Sequence, residues 1–173
     1  MTDLRDQVAE DRGVIKRIQL IFPGYHGYRI NEDLRDADII LKDELYKRML
    51  NCIGKLKEAE QALVRSGSFK ALEYFGTLRS KIQMAAEDIK HHGAGYTGIS
   101  PPVRVDAKKI SSLYDLDMKI FENIKGIEGA TDSLLKSCQS GNPDLTGFSV
   151  IVGMVDEISS LNNSRDALLY GGV

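Results

Sequence analysis

Apolar residues recur every three or four positions along most of this chain, and this spacing restricts its possible folds more than any other feature. The longest such series comprises Leu41, Leu45, Met49, Cys52, Leu56, Ala59 and Leu63. A repeat of 3.6 residues places these side chains on one face of an α-helix, where they can be buried together. The apolar–polar alternation that is typical of half-buried strands does not occur in the sequence. The pattern therefore predicts an all-α fold.

Five helical segments of unequal length are expected, at about residues 3–21, 30–65, 69–90, 107–139 and 146–169. Gly67 is expected at the position after the end of the second helix, and Ser68 as the N-cap of the third. Gly126 and Gly129 each weaken the fourth segment by about 1 kcal/mol relative to alanine. A kink or break is therefore expected near residues 126–132.

The chain length of 173 residues fits a single domain that spans residues 1–173. Short connections favour antiparallel neighbours, so we expect an up-and-down antiparallel bundle of about five helices. At a rise of 1.5 Å per residue the second helix is about 54 Å long and the third about 33 Å. The first helix is expected to cover one half of the second. Helices of unequal length leave apolar surface that a second copy can cover, which predicts a homo-oligomer.

Charge and hydropathy exclude several classes of function. The net charge is −2, and basic and acidic residues alternate along the helices, so no nucleic-acid partner is expected. The first twelve residues carry six charges and no apolar core of a secretory signal. The longest apolar stretch, residues 148–155, is far shorter than the roughly 20 residues that a membrane span requires. The sequence predicts a cytoplasmic protein.

The positions of a few polar and sulfur-containing residues in the sequence predict whether they are buried or exposed. Cys52 and Cys138 fall on apolar stripes and are expected to pack as free thiols in the core. Asp117 also lies on an apolar stripe; it is either a buried carboxylate that needs a partner such as an arginine, or a residue at the rim. A group of acids at the start of the second helix is expected to be solvated and matched to the helix dipole: Glu32, Asp33, Asp36 and Asp38.

All three histidines lie in two segments rich in glycine and tyrosine, residues 22–28 (FPGYHGY) and 91–98 (HHGAGYTG). The candidate residues for binding a ligand or partner come from these segments: Tyr25, His26, Tyr28, His91, His92 and Tyr96. The helix lengths are compatible with both segments at one end of the bundle. The alternatives are structural: histidines that cap helix ends, and tyrosines that fold back to plug the bundle.

Neither a metal site nor another cofactor is predicted. Imidazole suits zinc, iron or nickel, but His91 and His92 are adjacent and neither has another histidine or a cysteine three or four positions away. Residues 93–98 match G-x-G-x-x-G, yet they follow a predicted helix where a dinucleotide site requires a strand. No nucleophile elbow is present and neither cysteine has a histidine nearby in sequence. No catalytic residue is therefore assigned.

Residues 22–45 (FPGYHGYRINEDLRDADIILKDEL) and 95–98 (GYTG) carry a resemblance. They look like a set of uncharacterised prokaryotic helical proteins that have a Gly-Tyr-x-Gly-Tyr turn before a long charged helix and a later Gly-Tyr-x-Gly turn. The resemblance covers about a fifth of the chain. It implies a helical fold and a prokaryotic cytoplasmic setting, and no activity.

Two functional hypotheses follow from the sequence. The first is a non-enzymatic helical-bundle protein that acts through protein–protein contact or self-association. The second is a protein that binds a small ligand or a metal through the segments at 22–28 and 91–98. Exposed apolar surface favours the first hypothesis, whereas convergence of the two segments on one site favours the second.

Overall fold

The computed structural model of the chain describes residues 34–91 and 107–170, together with Lys16, Gln19 and Leu20. These residues form four α-helices: α1 (Leu34–Ser66), α2 (Leu72–His91), α3 (Ala107–Gln139) and α4 (Gly147–Tyr170). A 3₁₀ turn at Phe69–Ala71 precedes α2. No strand occurs within these ranges, which confirms the all-α prediction for them. The predicted first segment lies outside the described residues except for Lys16, Gln19 and Leu20, which are helical.

Glycines with positive φ end the first and third of these helices. Gly67 has φ 74°, and the amide of Ser68 donates to the carbonyl of Leu63 at 2.9 Å. Gly141 has φ 81° and ends α3 with the same hydrogen-bond pattern. Glycine adopts this left-handed conformation without a Cβ clash, so the predicted role of Gly67 is confirmed. Ser68 occupies the N-cap position, but its side chain makes no capping hydrogen bond and a 3₁₀ turn follows.

The expected break near residues 126–132 is wrong, because α3 is continuous from Ala107 to Gln139. Gly126 lies directly against α4: a Cβ built on it would stand 2.8 Å from Sδ of Met154. Close packing between the two helices stabilises a segment whose intrinsic helix propensity is low. Tertiary contact therefore outweighs the local cost of glycine at this point.

Side-chain pairs establish the relative directions of the helices. Helices α1 and α2 run antiparallel, as shown by the pairs Tyr46–Glu87 (3.0 Å) and Arg79–Glu60 (3.4 Å). Helices α1 and α3 run parallel, as shown by Arg48–Glu128 (3.2 Å) and Lys55–Asp132 (2.6 Å). Helices α2 and α4 also run parallel, as shown by Lys81–Asp156 (2.6 Å) and Asn162–Asp88 (3.4 Å). The short connections thus join antiparallel partners, and the longer connection joins α2 to α3.

These directions give the four helices two distinct ends. One end, here called the loop end, holds the start of α1, the end of α2, the start of α3 and the end of α4. The opposite end, here called the turn end, holds the two short connections, at residues 67–71 and 140–146. The predicted segments 22–28 and 91–98 both connect to the loop end.

A single apolar core lies between the four helices. The predicted stripe of α1 is buried throughout, from Leu41 to Leu63. Cys52 and Cys138 are free and buried, as predicted, and burial raises the pKa of the Cys52 thiol to about 11. Phe69 differs from its prediction: its helical spacing from Leu72 and Phe75 predicts a buried position, but it lies in the 3₁₀ turn and is exposed. None of the described helices is both long and apolar enough to cross a bilayer.

Candidate functional site

Among the six candidate residues predicted from sequence, the structure describes His91. It is the last residue of α2 and is exposed, and its Nε2 lies 3.2 Å from Oε2 of Glu87, one turn earlier. A histidine here complements the negative end of the helix dipole. The other five lie outside the described residues, and their roles stay predictions: Tyr25, His26, Tyr28, His92 and Tyr96.

The loop end is the structural setting of both predicted segments. Residues 92–98 continue directly from His91 at the end of α2, and five residues separate residues 22–28 from Leu34 at the start of α1. The pair between Tyr46 and Glu87 holds these two helix termini on the same side of the core. Both segments are therefore joined in sequence to helix termini that lie at the loop end.

A cluster of four charged side chains, three of them buried and one partly buried, lies at the loop end; we call it the ionic cluster. It consists of Asp38 and Lys42 from α1, Asp117 from α3 and Arg165 from α4. Nε of Arg165 donates to Oδ1 of Asp117 at 2.7 Å, and a terminal nitrogen of Arg165 contacts Asp38. Nζ of Lys42 lies 3.0 Å from the other oxygen of Asp38. Two acids and two bases give the cluster no net formal charge.

Burial makes these ion pairs energetically demanding. Asp117 and Arg165 are each only 2% exposed, so each has lost nearly all of its hydration. Removing such ions from water costs several kcal/mol each, and close, well-oriented pairing offsets this cost. Because Arg165 contacts both Asp117 and Asp38, it links α4 to α3 and to α1. The cluster therefore holds α1, α3 and α4 together at the loop end.

The sequence predictions for these residues had different outcomes. Asp117 is buried and paired with an arginine, which confirms the first of its two alternatives. Asp38 is not the solvated surface acid that was expected, since it packs against the buried Arg165. The sequence did contain a sign that Asp38 faces the core. Asp38 precedes Leu41 by three positions and thus continues the apolar stripe of α1. Arg165 likewise follows Ile158 at a distance of seven residues on the buried face of α4.

A second polar group, on the surface of the α1–α2 seam, surrounds Glu87. The hydroxyl of Tyr46 donates to Oε1 of Glu87 at 3.0 Å, and this bond with a carboxylate raises the pKa of Tyr46. The amide of Gln83 donates to the same oxygen at 2.7 Å, and Nζ of Lys90 lies 4.3 Å from the Tyr46 ring centre. His91 is therefore connected through Glu87 to α1, and the end of α2 is held against α1.

Within the ranges that the structure describes, no group of three or more His, Cys, Asp or Glu side chains is arranged to hold a metal ion. The ionic cluster offers two carboxylates, but a lysine and an arginine already bind them. A metal at the loop end would need donors from residues 22–28 and 92–98. In the described part of the loop end, the charged side chains form ion pairs that hold the helices together.

The turn end exposes a group of apolar side chains that we call the apolar patch: Phe69, Tyr74, Leu145 and Val150. These four residues are 37–63% exposed. Among them, Tyr74 contacts Phe148, whose ring centre lies 6.2 Å from that of Tyr74 and 4.9 Å from that of the buried Phe75. Clustered exposed apolar side chains are typical of interaction surfaces. Sequence periodicity missed this patch because it placed Phe69 in the core.

No protein-family model, curated protein or solved structure matches this chain. Two features of the structure therefore bear on function. The loop end carries the connections to both histidine- and tyrosine-rich segments, and the ionic cluster holds α1, α3 and α4 together there. The turn end carries the apolar patch.

Proposed function

We propose that this protein is a non-enzymatic helical protein that acts through protein–protein contact, and that it associates with a second copy of itself through the apolar patch. The observation that carries the proposal is the exposure of two aromatic side chains, Phe69 (63%) and Tyr74 (60%). Aromatic residues contribute strongly to binding energy at interfaces. The ring of Phe148 packs edge-on against that of Tyr74, so the position of Tyr74 is already set in one copy.

Charge favours a second copy as the occupant. Lys70 and Glu73 are both exposed and have opposite charge. In the sequence they lie between Phe69 and Tyr74. A two-fold axis brings the same surface of two copies together, so Lys70 of one copy can approach Glu73 of the other. The net charge of −2 adds little repulsion between copies.

The wider expectations from the sequence belong to the same proposal. The whole chain forms a five-helix up-and-down bundle in which successive helices alternate in direction, and residues 3–21 supply the first helix. The alternating directions of α1 to α4 support this arrangement. The protein functions in the cytoplasm of a prokaryotic cell, in keeping with the resemblance of residues 22–45 and 95–98.

Light scattering over a range of protein concentrations tests the self-association. The wild-type mass is expected to rise above the 19.2 kDa of one copy as concentration increases. Replacing both Phe69 and Val150 by glutamate is expected to hold the mass at that of a monomer. Both side chains are exposed, so the change places charge on an apolar contact without disturbing the core.

Met84→Glu is the matched control, because Met84 is an exposed apolar residue of α2 that lies ten positions beyond Tyr74. This variant is expected to associate as the wild type does. Wild-type protein that stays monomeric at every concentration contradicts the proposal. A double variant that associates as strongly as the control also contradicts it.

A second candidate function is binding of a small ligand or a metal at the loop end. Its specific support is the attachment of both histidine-bearing segments to that end. If the segments bind a divalent metal, adding Zn²⁺ or Ni²⁺ raises the melting temperature, because a ligand that binds the folded state stabilises it. Replacing His26 and His92 by alanine is expected to abolish the rise. An unchanged melting temperature with both ions removes the metal form of this candidate.

A further inference from the structure

The outer surface of α1 carries apolar side chains that no described helix covers. Ile39, Leu50 and Val64 are 37–57% exposed. Their separations of 11 and 14 residues keep them within about 40° of one another around the helix, at about 100° per residue. This outer stripe lies roughly 120° around α1 from the buried stripe that begins at Leu41. It is separate from the apolar patch on α2 and α4.

The stripe has open space beside it for another helix. A Cβ built on Gly54, an exposed residue of α1, meets nothing within 4 Å. Tyr46 lies on the same arc and marks the border with α2 through its bond to Glu87. Ile53, next to the stripe, is already only 5% exposed. An additional helix along this border would therefore extend the apolar core outward.

The chain supplies an amphipathic segment of matching length. Leu4, Val8, Ile15 and Ile18 recur at helical spacing within residues 3–21. The described residues of this segment, Lys16, Gln19 and Leu20, are helical and exposed, and Leu20 is 85% exposed. Lys16 and Leu20 lie about 120–160° around the helix from that apolar face. Side chains on one face of a helix are exposed in this way when the opposite face packs against the protein.

We propose that residues 3–21 pack as a helix, antiparallel to α1, on the half of the stripe that contains Ile39 and Leu50. Residues 22–33 span up to about 40 Å when extended, which is ample for the chain to reverse direction before Leu34. Ile18 then lies level with Ile39. Val8 lies level with Leu50, since the two separations are 10 and 11 residues. The helix ends near Gly54, so Val64 remains uncovered.

Charge supports this register. With Ile18 level with Ile39, the acidic residues Glu10 and Asp11 lie level with Lys47, which is exposed on α1, pairs with Asp43 at 2.7 Å and can still accept a second acidic neighbour. The apolar faces of the two helices meet, and the charges stand at the edge, as in other helix pairs. The occupant is therefore the segment of the same chain, and this contact is independent of the self-association proposed above.

Cysteine cross-linking in the full-length protein tests the proposal. The pair Val8→Cys with Leu50→Cys is expected to form a disulfide under mild oxidation, because a disulfide needs Cα atoms within about 7 Å. The matched pair Val8→Cys with Val64→Cys is expected to react at least about tenfold more slowly, since Val64 lies about 21 Å further along the same face. The buried Cys52, with a pKa of about 11, contributes little thiolate to the reaction.

Non-reducing electrophoresis distinguishes the outcomes. Cross-linked protein that migrates as one chain supports the proposal. A covalent dimer overturns it, because the segment then covers α1 of a second copy. Equal rates for the two pairs, or no cross-link in either, also overturn it. Light scattering on the same variants reports self-association through the apolar patch separately, so failure of one proposal is not mistaken for failure of the other.

Discussion

Replacing Arg165 by methionine is expected to lower the free energy of unfolding by about 3–5 kcal/mol, as happens when one partner of a buried ion pair is removed. Methionine fills a similar volume but leaves Asp117, which is 2% exposed, without the guanidinium that now binds it at 2.7 Å. Asp38 loses its contact with Arg165 and retains Lys42. Urea denaturation followed by circular dichroism measures the loss.

Two further variants show whether the effect comes from an unpaired buried charge. The double variant Asp117→Leu with Arg165→Met removes both charges and is expected to recover most of the lost stability, since well-packed apolar residues often replace a buried pair at little cost. Lys81→Met is the control at an exposed pair, where the loss is expected to be at most about 1 kcal/mol. If Arg165→Met costs no more than Lys81→Met, the ionic cluster does not hold the loop end together.

Replacing Phe75 by alanine is expected to lower the free energy of unfolding by about 3–5 kcal/mol, the usual cost of truncating a buried phenylalanine. Phe75 is fully buried, and its ring packs edge-on against Phe148 at a centre distance of 4.9 Å. Truncation to alanine leaves a cavity and removes contacts from Phe148, whose ring packs edge-on against that of Tyr74. Thermal and urea denaturation measure the change in stability.

Phe69→Ala provides the matched control, because it removes the same atoms from a side chain that the structure exposes. In dilute protein, where association contributes nothing to stability, its effect is expected to stay within about 0.5 kcal/mol. A loss at Phe69 equal to that at Phe75 would show that the core does not have the described packing. A reduced tendency to associate in concentrated Phe69→Ala protein would support the apolar patch as an interface.

The helical parts of the fold were predictable because helix formation and burial leave a local pattern. The fourth predicted segment, 107–139, has the same bounds as α3, and the buried stripe of α1 was predicted residue by residue from Leu41 to Leu63. Cys52 and Cys138 are buried for the same reason. Gly67 was predictable because a left-handed residue at a helix end favours glycine.

Predictions failed where a distant residue supplies the deciding contact. Asp38 resembled a surface acid because its neighbours in sequence are charged, but its partner Arg165 lies near the other end of the chain. The expected break in α3 failed because Met154 packs against Gly126. Phe69 was assigned to the core because periodicity does not distinguish a 3₁₀ turn from the first turn of an α-helix. For the candidate site, the sequence selected six residues, and the structure describes His91 at the loop end.

The sequence by itself determined that the described residues are helical, which face of α1 is buried and where α3 begins and ends. These properties follow from the 3.6-residue repeat and from turn residues, so they are encoded within a few positions of each residue. Only the tertiary structure decided that α1 and α3 run parallel, that Arg165 is the partner of Asp117, and which apolar side chains remain outside the core. Those outcomes depend on contacts between residues far apart in sequence, which no local pattern specifies.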